Sequence, residues 1–250
     1  MLFAGALLLF ASTGRHASAD PTSLPVVEIE RWFPLEGGGL KRVTVLVDTR
    51  IADPAQVAAA YGPPLPGVNA QFVAFGKWAK SDIPVQVAYD DSGDPPGIDG
   101  EADVAQAMSV WGAVPGQSFS FAAAGSPGSE TPACITNFGD QINTVRFSNL
   151  LHPGVLGETC TLFFGAVDGM ERIVEFDMHL AAALPWSDGP VTPPAHFDLP
   201  TVILHELGHA FGLDHSTAGT VMQPSLKSGA QIRSPSADDI AGMRHLYGPG

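Results

Sequence analysis

Residues 205–215 read HELGHAFGLDH and place three of the chain's eight histidines and one glutamate within a single short segment. The preceding residues favour an α-helix here, because Asp198 can cap its N-terminus and Pro200 falls in the first turn, where proline is tolerated. Residues four apart lie on one face of a helix, which puts His205 and His209 side by side. The segment therefore predicts a helix that presents two imidazoles one turn apart.

Two imidazoles so placed can hold one metal ion, and Glu206 would stand beside that ion as a general base for the water that the ion activates. Catalytic zinc usually takes three protein ligands. Gly212 lets the chain leave the helix and turn back, and His215 follows three residues later. The pattern H-E-x-x-H-x-x-G-x-x-H thus predicts a zinc site made by His205, His209 and His215.

A chance arrangement could explain the first part of this motif alone, since polar helix faces often carry histidine and glutamate. Gly212 and His215 at the correct offsets argue against chance. A cluster of three imidazoles without a metal would also leave several ring nitrogens unpaired.

Composition and patterning predict an α+β domain. The chain has 250 residues, 45% of them apolar and 15% charged, which is typical of a globular protein. Its formal net charge of -14 leaves no basic face for a phosphate backbone, so nucleic acid is excluded as an expected partner. Strand-like runs precede and follow one helical segment at 101–112, and helices dominate towards the C-terminus. The predicted strands lie at 42–50, 83–91, 118–124, 143–150, 160–166 and 172–180, and a short helix is predicted after Asp53.

The N-terminus resembles a secretion signal. Residues 2–11 form an apolar run too short to cross a bilayer, and the ASA sequence at 17–19 is a small-x-small cleavage pattern. We predict a signal peptide at 1–19, export to the extracellular space or a periplasm, and no membrane anchor in the mature form. Residues 20–70 form an N-terminal segment that ends in a Pro/Gly-rich linker at 62–69, and a second unit spans 71–250.

Cys134 and Cys160 are the only two cysteines of the chain. An exported protein with a small, even number of cysteines favours a disulfide over two free thiols. The bridge would close a loop of about 26 residues and stabilise the fold by about 3 kcal/mol in the chain-entropy treatment.

The long histidine motif, followed by GTVMQP with Met222, resembles the metzincin clan of zinc endopeptidases. FDLPTVILHELGHAFGLDHS and the later SADDIAGMRHLYG resemble the matrixins, in particular the secreted bacterial ones. The resemblance is strongest over 197–247, weaker back to about residue 78, and absent over 20–70.

This resemblance implies an α+β, zincin-like fold in which a twisted mixed sheet packs on the active-site helix and a further helix. A smaller C-terminal subdomain after Gly212 would contain a methionine turn and a closing helix. Met222 would form the hydrophobic floor of the site, and Ser236 with Asp239 resembles a capping box at the start of the closing helix. Leu226 would line the pocket for the residue just past the cleaved bond.

Two departures from the family matter. Vertebrate matrixins hold latency with a prosegment cysteine on the zinc, whereas no cysteine precedes Cys134 here. If residues 20–70 are a prosegment, inhibition needs another ligand or simple steric cover. Those matrixins also hold a second, structural zinc, but the candidates in this chain form no tetrahedral set, so we expect one catalytic zinc only; acidic loop residues permit calcium. The candidates for that second site are His152, Asp177, His179 and His196.

The expected function is a secreted zinc endopeptidase, a monomer that hydrolyses peptide bonds of protein or peptide substrates by a zinc-activated water with Glu206 as base. A catalytically silent zinc-containing binding module is the alternative, and a zinc-independent extracellular structural domain is the third possibility. The presence of Glu206 argues against the second, and the intact ligand set argues against the third.

Overall fold

The computed structural model describes residues 26–35, 39–60, 74–127, 139–149, 153–216 and 219–249. The elements comprise strands, four α-helices and two short 3-10 turns at 80–82 and 91–93. The strands are β1 (Val26–Pro34), β2 (Leu40–Asp48), β3 (Gly76–Trp78), β4 (Val85–Asp90), β5 (Phe121–Gly125), β6 (Thr144–Ser148), β7 (Val155–Val167), β8 (Met170–Ala181), β9 (Trp186–Ser187) and β10 (Phe197–Asp198). The helices are α1 (Pro54–Ala60), α2 (Gly100–Gly112), α3 (Leu199–Ala210) and α4 (Ala237–Tyr247).

One mixed sheet organises the described part of the chain, in the order β1-β2-β7-β8-β6-β4-β5, with β3 paired to β8. The strands β5, β4, β6 and β8 run parallel, whereas β7 is antiparallel to β8. On the far side of β7, β1 and β2 form an antiparallel hairpin that continues the sheet. The mixed sheet with its helices confirms the predicted α+β class.

The predicted elements agree with the observed ones. Each of the six predicted strand segments overlaps a strand, and the predicted helix at 101–112 is α2. Asp53 caps the short helix as expected, because its carboxylate accepts a hydrogen bond from the amide of Ala55 at 2.9 Å. β1 and the short strands β3, β9 and β10 were not predicted.

The helix α3, which carries His205 and His209, lies entirely inside the molecule, and all twelve of its residues are buried. Asp198 caps its N-terminus by accepting from the amide of Thr201 at 3.1 Å. At its other end, the indole of Trp78 donates to the carbonyl of Ala210 at 2.9 Å, and the hydroxyl of Tyr247 donates to that of Phe211 at 2.6 Å. These bonds satisfy carbonyls that a helix end leaves without internal partners, so α3 is fixed at both ends.

α2 packs against α3 and fixes its middle. Trp111 is fully buried, and its indole donates to the carbonyl of Leu204 at 2.9 Å. Its ring lies edge-on to that of Phe211, with 4.7 Å between the centroids. An aromatic residue in α2 thus holds the helix turn that carries the histidines.

Several predictions fall outside the described residues. They are the signal peptide at 1–19, the linker at 62–69, Cys134 and His152. Cys160 is fully buried on β7, and its bridge to Cys134 stays a prediction. None of the helices in the described ranges has the length and hydropathy that crossing a membrane requires.

Candidate metal centre

The three predicted histidines meet at one point. The Nε2 atoms of His205 and His209 are 3.1 Å apart, and His215 closes the group from the segment after α3. Ring centroids lie 4.7 Å apart for His205 and His209, and 5.1 Å apart for His209 and His215. Two imidazoles of the cluster are buried, and the side chain of His215 is 22% exposed, so the group opens to solvent on one side.

Backbone carbonyls orient two of the rings. The Nδ1 atom of His205 lies 2.7 Å from the carbonyl oxygen of Val221, and that of His209 lies 2.8 Å from the carbonyl oxygen of Leu213. A proton on Nδ1 satisfies each carbonyl and leaves the Nε2 lone pair free for a metal. The hydrogen bonds therefore select the tautomer that metal ligation requires.

Gly212 ends α3 with a backbone conformation and a close contact that favour glycine. Its φ is +112°, and a Cβ atom there would lie 2.0 Å from the carbonyl oxygen of Gly76. The close approach lets the amide of Phe75 donate to the carbonyl of Gly212 at 3.0 Å. Glycine is thus required both for the turn that returns His215 and for the contact with the chain beside β3.

Met222 lies under the helix that carries the histidines. It is fully buried, and its sulfur is so close to Gly208 that a Cβ on that glycine would be 2.2 Å away. Asp239 holds this turn from α4, because its carboxylate accepts from the amides of Val221 at 2.9 Å and Met222 at 3.2 Å. The same aspartate completes the predicted capping box with Ser236. One buried carboxylate therefore links the closing helix to the carbonyl that orients His205.

Glu206 is fully buried next to the cluster. The hydroxyl of Thr159 on β7 donates to its Oε2 atom, while its Oε1 atom has no hydrogen-bond partner in the described structure. Burial and the charge of Glu28 raise the pKa of Glu206 to about 8. A carboxyl with one anchored and one free oxygen is suited to accept and return a proton.

Glu28 is a fourth group at the cluster, and the sequence did not predict it. Its Oε2 atom is 2.9 Å from Nε2 of His205 and also contacts Nε2 of His215, and its Oε1 atom is 3.1 Å from Nε2 of His209. The side chain is fully buried. The alternation of polar and apolar residues in VVEIERWFP indicates a strand. Nothing in the sequence indicates that this strand contacts residues about 180 positions away.

The charges of the cluster are mutually dependent. Burial opposes ionisation of Glu28, but its close contacts with His209, His215 and His205 outweigh that effect, so its pKa lies well below the ordinary value. Burial also disfavours protonated His205, but the hydrogen bond and charge of Glu28 raise its pKa to about 9. For His209 burial prevails and lowers the pKa to about 3.

The donor set fits zinc. The ligand atoms of Glu28 and the three histidines all lie within 4.8 Å of one another. Two ligands on a tetrahedral zinc, each at about 2.0–2.1 Å, lie roughly 3.4 Å apart, which is close to the Nε2 spacing of the helix pair. Three neutral imidazoles and an oxygen are the donors that catalytic zinc prefers in this coordination.

A small apolar cavity adjoins the cluster. The predicted pocket residue Leu226 lines it, and His205 borders it. Leu46, from the hairpin strand β2, also enters its lining. The remaining lining residues are Thr201, Val202, Val221, Gln223, Ser225 and Ile232.

Among the described residues, those considered for a second zinc do not gather into a ligand cluster. His179 lies on β8, with its Nδ1 atom 3.1 Å from a carboxylate oxygen of Glu158 on β7. Asp177 accepts from the amide of Thr144 at 3.0 Å. His196 lies in the loop before β10. The ion count therefore stays a prediction.

Comparisons with known proteins agree on one family. The family model described as matrixin matches residues 53–248, starting inside the predicted N-terminal segment. Metalloendoproteinase 1-MMP of Arabidopsis thaliana is 40% identical over 76 residues, which cover 29% of this chain and 21% of the relative. Metalloendoproteinase 1 of Glycine max is 35% identical over 96 residues, covering 38% of this chain and 29% of the relative. Stromelysin-3 of Rattus norvegicus is 26% identical over 247 residues, covering 92% of this chain and 42% of the relative. The chain thus spans less than half the length of each of these relatives.

Proposed function

Because the chain belongs to the matrixin family, we propose that it is a secreted zinc-dependent endopeptidase that hydrolyses peptide bonds. The observation that carries this proposal is the convergence of His205, His209 and His215 with Glu206 beside them. The metalloendoproteinase names of the relatives support the same activity.

The three imidazoles would hold zinc through Nε2. When bound, zinc activates a water molecule and polarises the scissile carbonyl. Glu206 accepts a proton from the attacking water and later delivers it to the leaving amine. Thr159 keeps the carboxylate in place through Oε2 during both transfers.

The substrate would be a protein or peptide in an extended conformation. β2 pairs with β7 beside the site in this structure, and a substrate strand would take the place of β2 to form main-chain hydrogen bonds with β7. The segment around Leu226 would form the facing wall. The cavity next to His205 would receive an apolar side chain just past the cleaved bond, because Leu226, Val202 and Ile232 line it.

The chain after Gly212, with the Met222 turn and α4, would form a smaller C-terminal subdomain of a metzincin-like fold. The protein would act as a monomer outside the cell or in a periplasm after loss of residues 1–19. A silent zinc-binding module is the alternative, and the intact Glu206 disfavours it.

The experiment compares zinc-loaded full-length protein with the Glu206→Ala variant on casein, with and without a chelator. We expect both proteins to bind zinc, and we expect any cleavage, however slow in the full-length chain, to require Glu206 and to be lost with the chelator. Glu101→Ala, at an exposed position on α2, is the matched control and should behave as the parent. Cleavage that survives Glu206→Ala would contradict the general-base role, and absence of cleavage in every form, including variants at Glu28, would favour the binding module.

A further inference from the structure

The proposed mechanism leaves the position of Glu28 unexplained. A carboxylate from the N-terminal strand lies among all three imidazoles, with its side chain shut off from solvent. An ionised group is expensive to bury unless it is paired or ligates a metal. The Glu28 carboxylate contacts the Nε2 atoms of all three histidines. It therefore lies where the proposed zinc and its open coordination position would be.

The hairpin that carries Glu28 also covers the substrate-binding edge. β2 pairs antiparallel with β7 from Leu40 opposite Phe163 to Val47 opposite Val155. β1 lies on the outer side of β2, and its amides reach the opposite wall: Val26 donates to the carbonyl of Leu226 at 3.1 Å, and Glu28 donates to that of Pro224 at 3.1 Å. A peptide substrate would need these same main-chain partners.

The hairpin presents one face to the site. Glu28 is paired with Leu46 across the hairpin, and Trp32 is paired with Arg42. These four side chains lie on the same face, because side chains alternate along strands. Leu46 is 3% exposed and enters the apolar cavity beside His205. The hairpin therefore blocks the metal position and the neighbouring side-chain pocket together.

Arg42 fastens the hairpin to the motif itself. It is fully buried, and its guanidinium donates to Asp214 at 2.8 Å and to Glu30 at 3.1 Å. It also lies 3.8 Å from the centroid of the Phe75 ring. Asp214 directly precedes His215, so the arginine is bound to the same loop as the third histidine. Breaking such a pair would leave a buried charge uncompensated, which is strongly destabilising.

We propose that residues 26–48 are an inhibitory segment of this enzyme and that Glu28 serves as the fourth zinc ligand in the latent protein. The inference rests on the proposed peptidase function. A carboxylate in the fourth position leaves no place for the attacking water, and Leu46 keeps a substrate side chain out of the pocket. Activation requires withdrawal of the hairpin, and the chain needs no prosegment cysteine.

The test uses the full-length protein loaded with zinc or with cobalt, whose visible absorption reports the coordination of the ion. Four variants are compared with the parent: Glu28→Ala, Glu28→Gln, the control Glu101→Ala, and Glu28→Ala combined with Glu206→Ala. Circular dichroism and thermal unfolding establish that each is folded. Acetohydroxamate serves as a probe of the open coordination position. A tethered ligand competes at an effective concentration on the order of millimolar or more, so sub-millimolar probe should bind only where Glu28 is removed.

We expect acetohydroxamate to change the cobalt spectrum of both Glu28 variants and to leave the parent and Glu101→Ala unchanged. Casein cleavage should be at least about tenfold faster in Glu28→Ala than in the parent, and the double variant should be inactive. Equal probe binding and equal cleavage in the parent and Glu28→Ala would overturn the inference while leaving the peptidase function intact. A spectral difference without cleavage in any form would keep Glu28 as a ligand and overturn the peptidase function instead.

Discussion

The packing of Met222 against α3 can be tested by adding one methyl group at Gly208. On helix propensity alone, Gly208→Ala should stabilise the protein by about 0.8–1.0 kcal/mol, since alanine is the better helix former. The structure predicts the opposite sign. The new Cβ would lie 2.2 Å from the Met222 sulfur and 3.0 Å from its methyl carbon, with the Trp111 ring 3.5 Å away on another side.

The size of the effect follows from this overlap. Favourable contacts between heavy atoms lie at about 3.5–4.0 Å, so the methionine would have to move by more than 1 Å. Met222 and Trp111 are both fully buried, which leaves no open space for that movement. Overpacking of this kind costs about 1–3 kcal/mol, and the upper end applies here. After the propensity gain is subtracted, we expect a net loss of about 2 kcal/mol.

Urea denaturation of the zinc-loaded protein measures this loss. The matched control is Gly112→Ala at the end of α2, where a Cβ would meet nothing within 4 Å, and it should stabilise by about 0.5–1 kcal/mol. In a Met222→Ala background the obstacle is gone, so Gly208→Ala should change from destabilising to neutral or stabilising. If Gly208→Ala stabilises the protein with Met222 present, as the control does, the packing argument is wrong.

Further predictions concern the turn, the closing helix and one buried acid. Gly212→Ala should lower the free energy of unfolding, measured by urea denaturation, by at least about 3 kcal/mol and should weaken zinc binding. The alanine adds backbone strain at a φ of +112° and its Cβ overlaps the Gly76 carbonyl. Unchanged stability would refute the close approach of these two segments. Asp239→Asn should lower stability by about 2 kcal/mol and zinc affinity roughly tenfold, since an amide cannot accept all the hydrogen bonds that the carboxylate accepts. Zinc titration with a fluorescent competitor measures the affinity, and an unchanged value would contradict this role of Asp239. Burial, and then repulsion by Asp188, raises the pKa of Asp103 to about 7. Its ionisation therefore opposes folding as the pH rises from about 4 to about 7, by at most about 4 kcal/mol. Asp103→Asn should gain stability relative to the parent between pH 5 and pH 8, and parallel pH profiles would contradict the assigned burial of that charge.

Local sequence signals were sufficient for the helices that carry the site. Asp198 and Ser236 cap α3 and α4 as their sequence positions predicted, and Gly212 turns the chain where the motif requires it. Capping, helical periodicity and glycine turns depend on residues within a few positions of one another, so the sequence contains all the information that they need. The same holds for the alternating strands β4 and β6.

Contacts between distant segments could not be predicted in this way. The carboxylate of Asp239 on α4 contacts the turn at Val221, Thr159 on β7 contacts Glu206 on α3, and Arg42 on β2 contacts Asp214 after α3. Each partner is an ordinary polar residue for its own element. The contact that each residue makes depends on how the strands and helices are arranged in the fold. The pairing of the strands depends in turn on the burial of both faces of the sheet.

The sequence by itself determined the residue types and spacing of the candidate zinc site on a capped helix, since helix geometry places His205, Glu206 and His209 and Gly212 lets the chain turn back before His215. The tertiary structure decided what lies over that site. The pairing of β1 with β2 and of β2 with β7 brings Glu28 within contact of His205, 177 positions further along the chain. Strand pairing over such a distance is set by packing rather than by any local pattern.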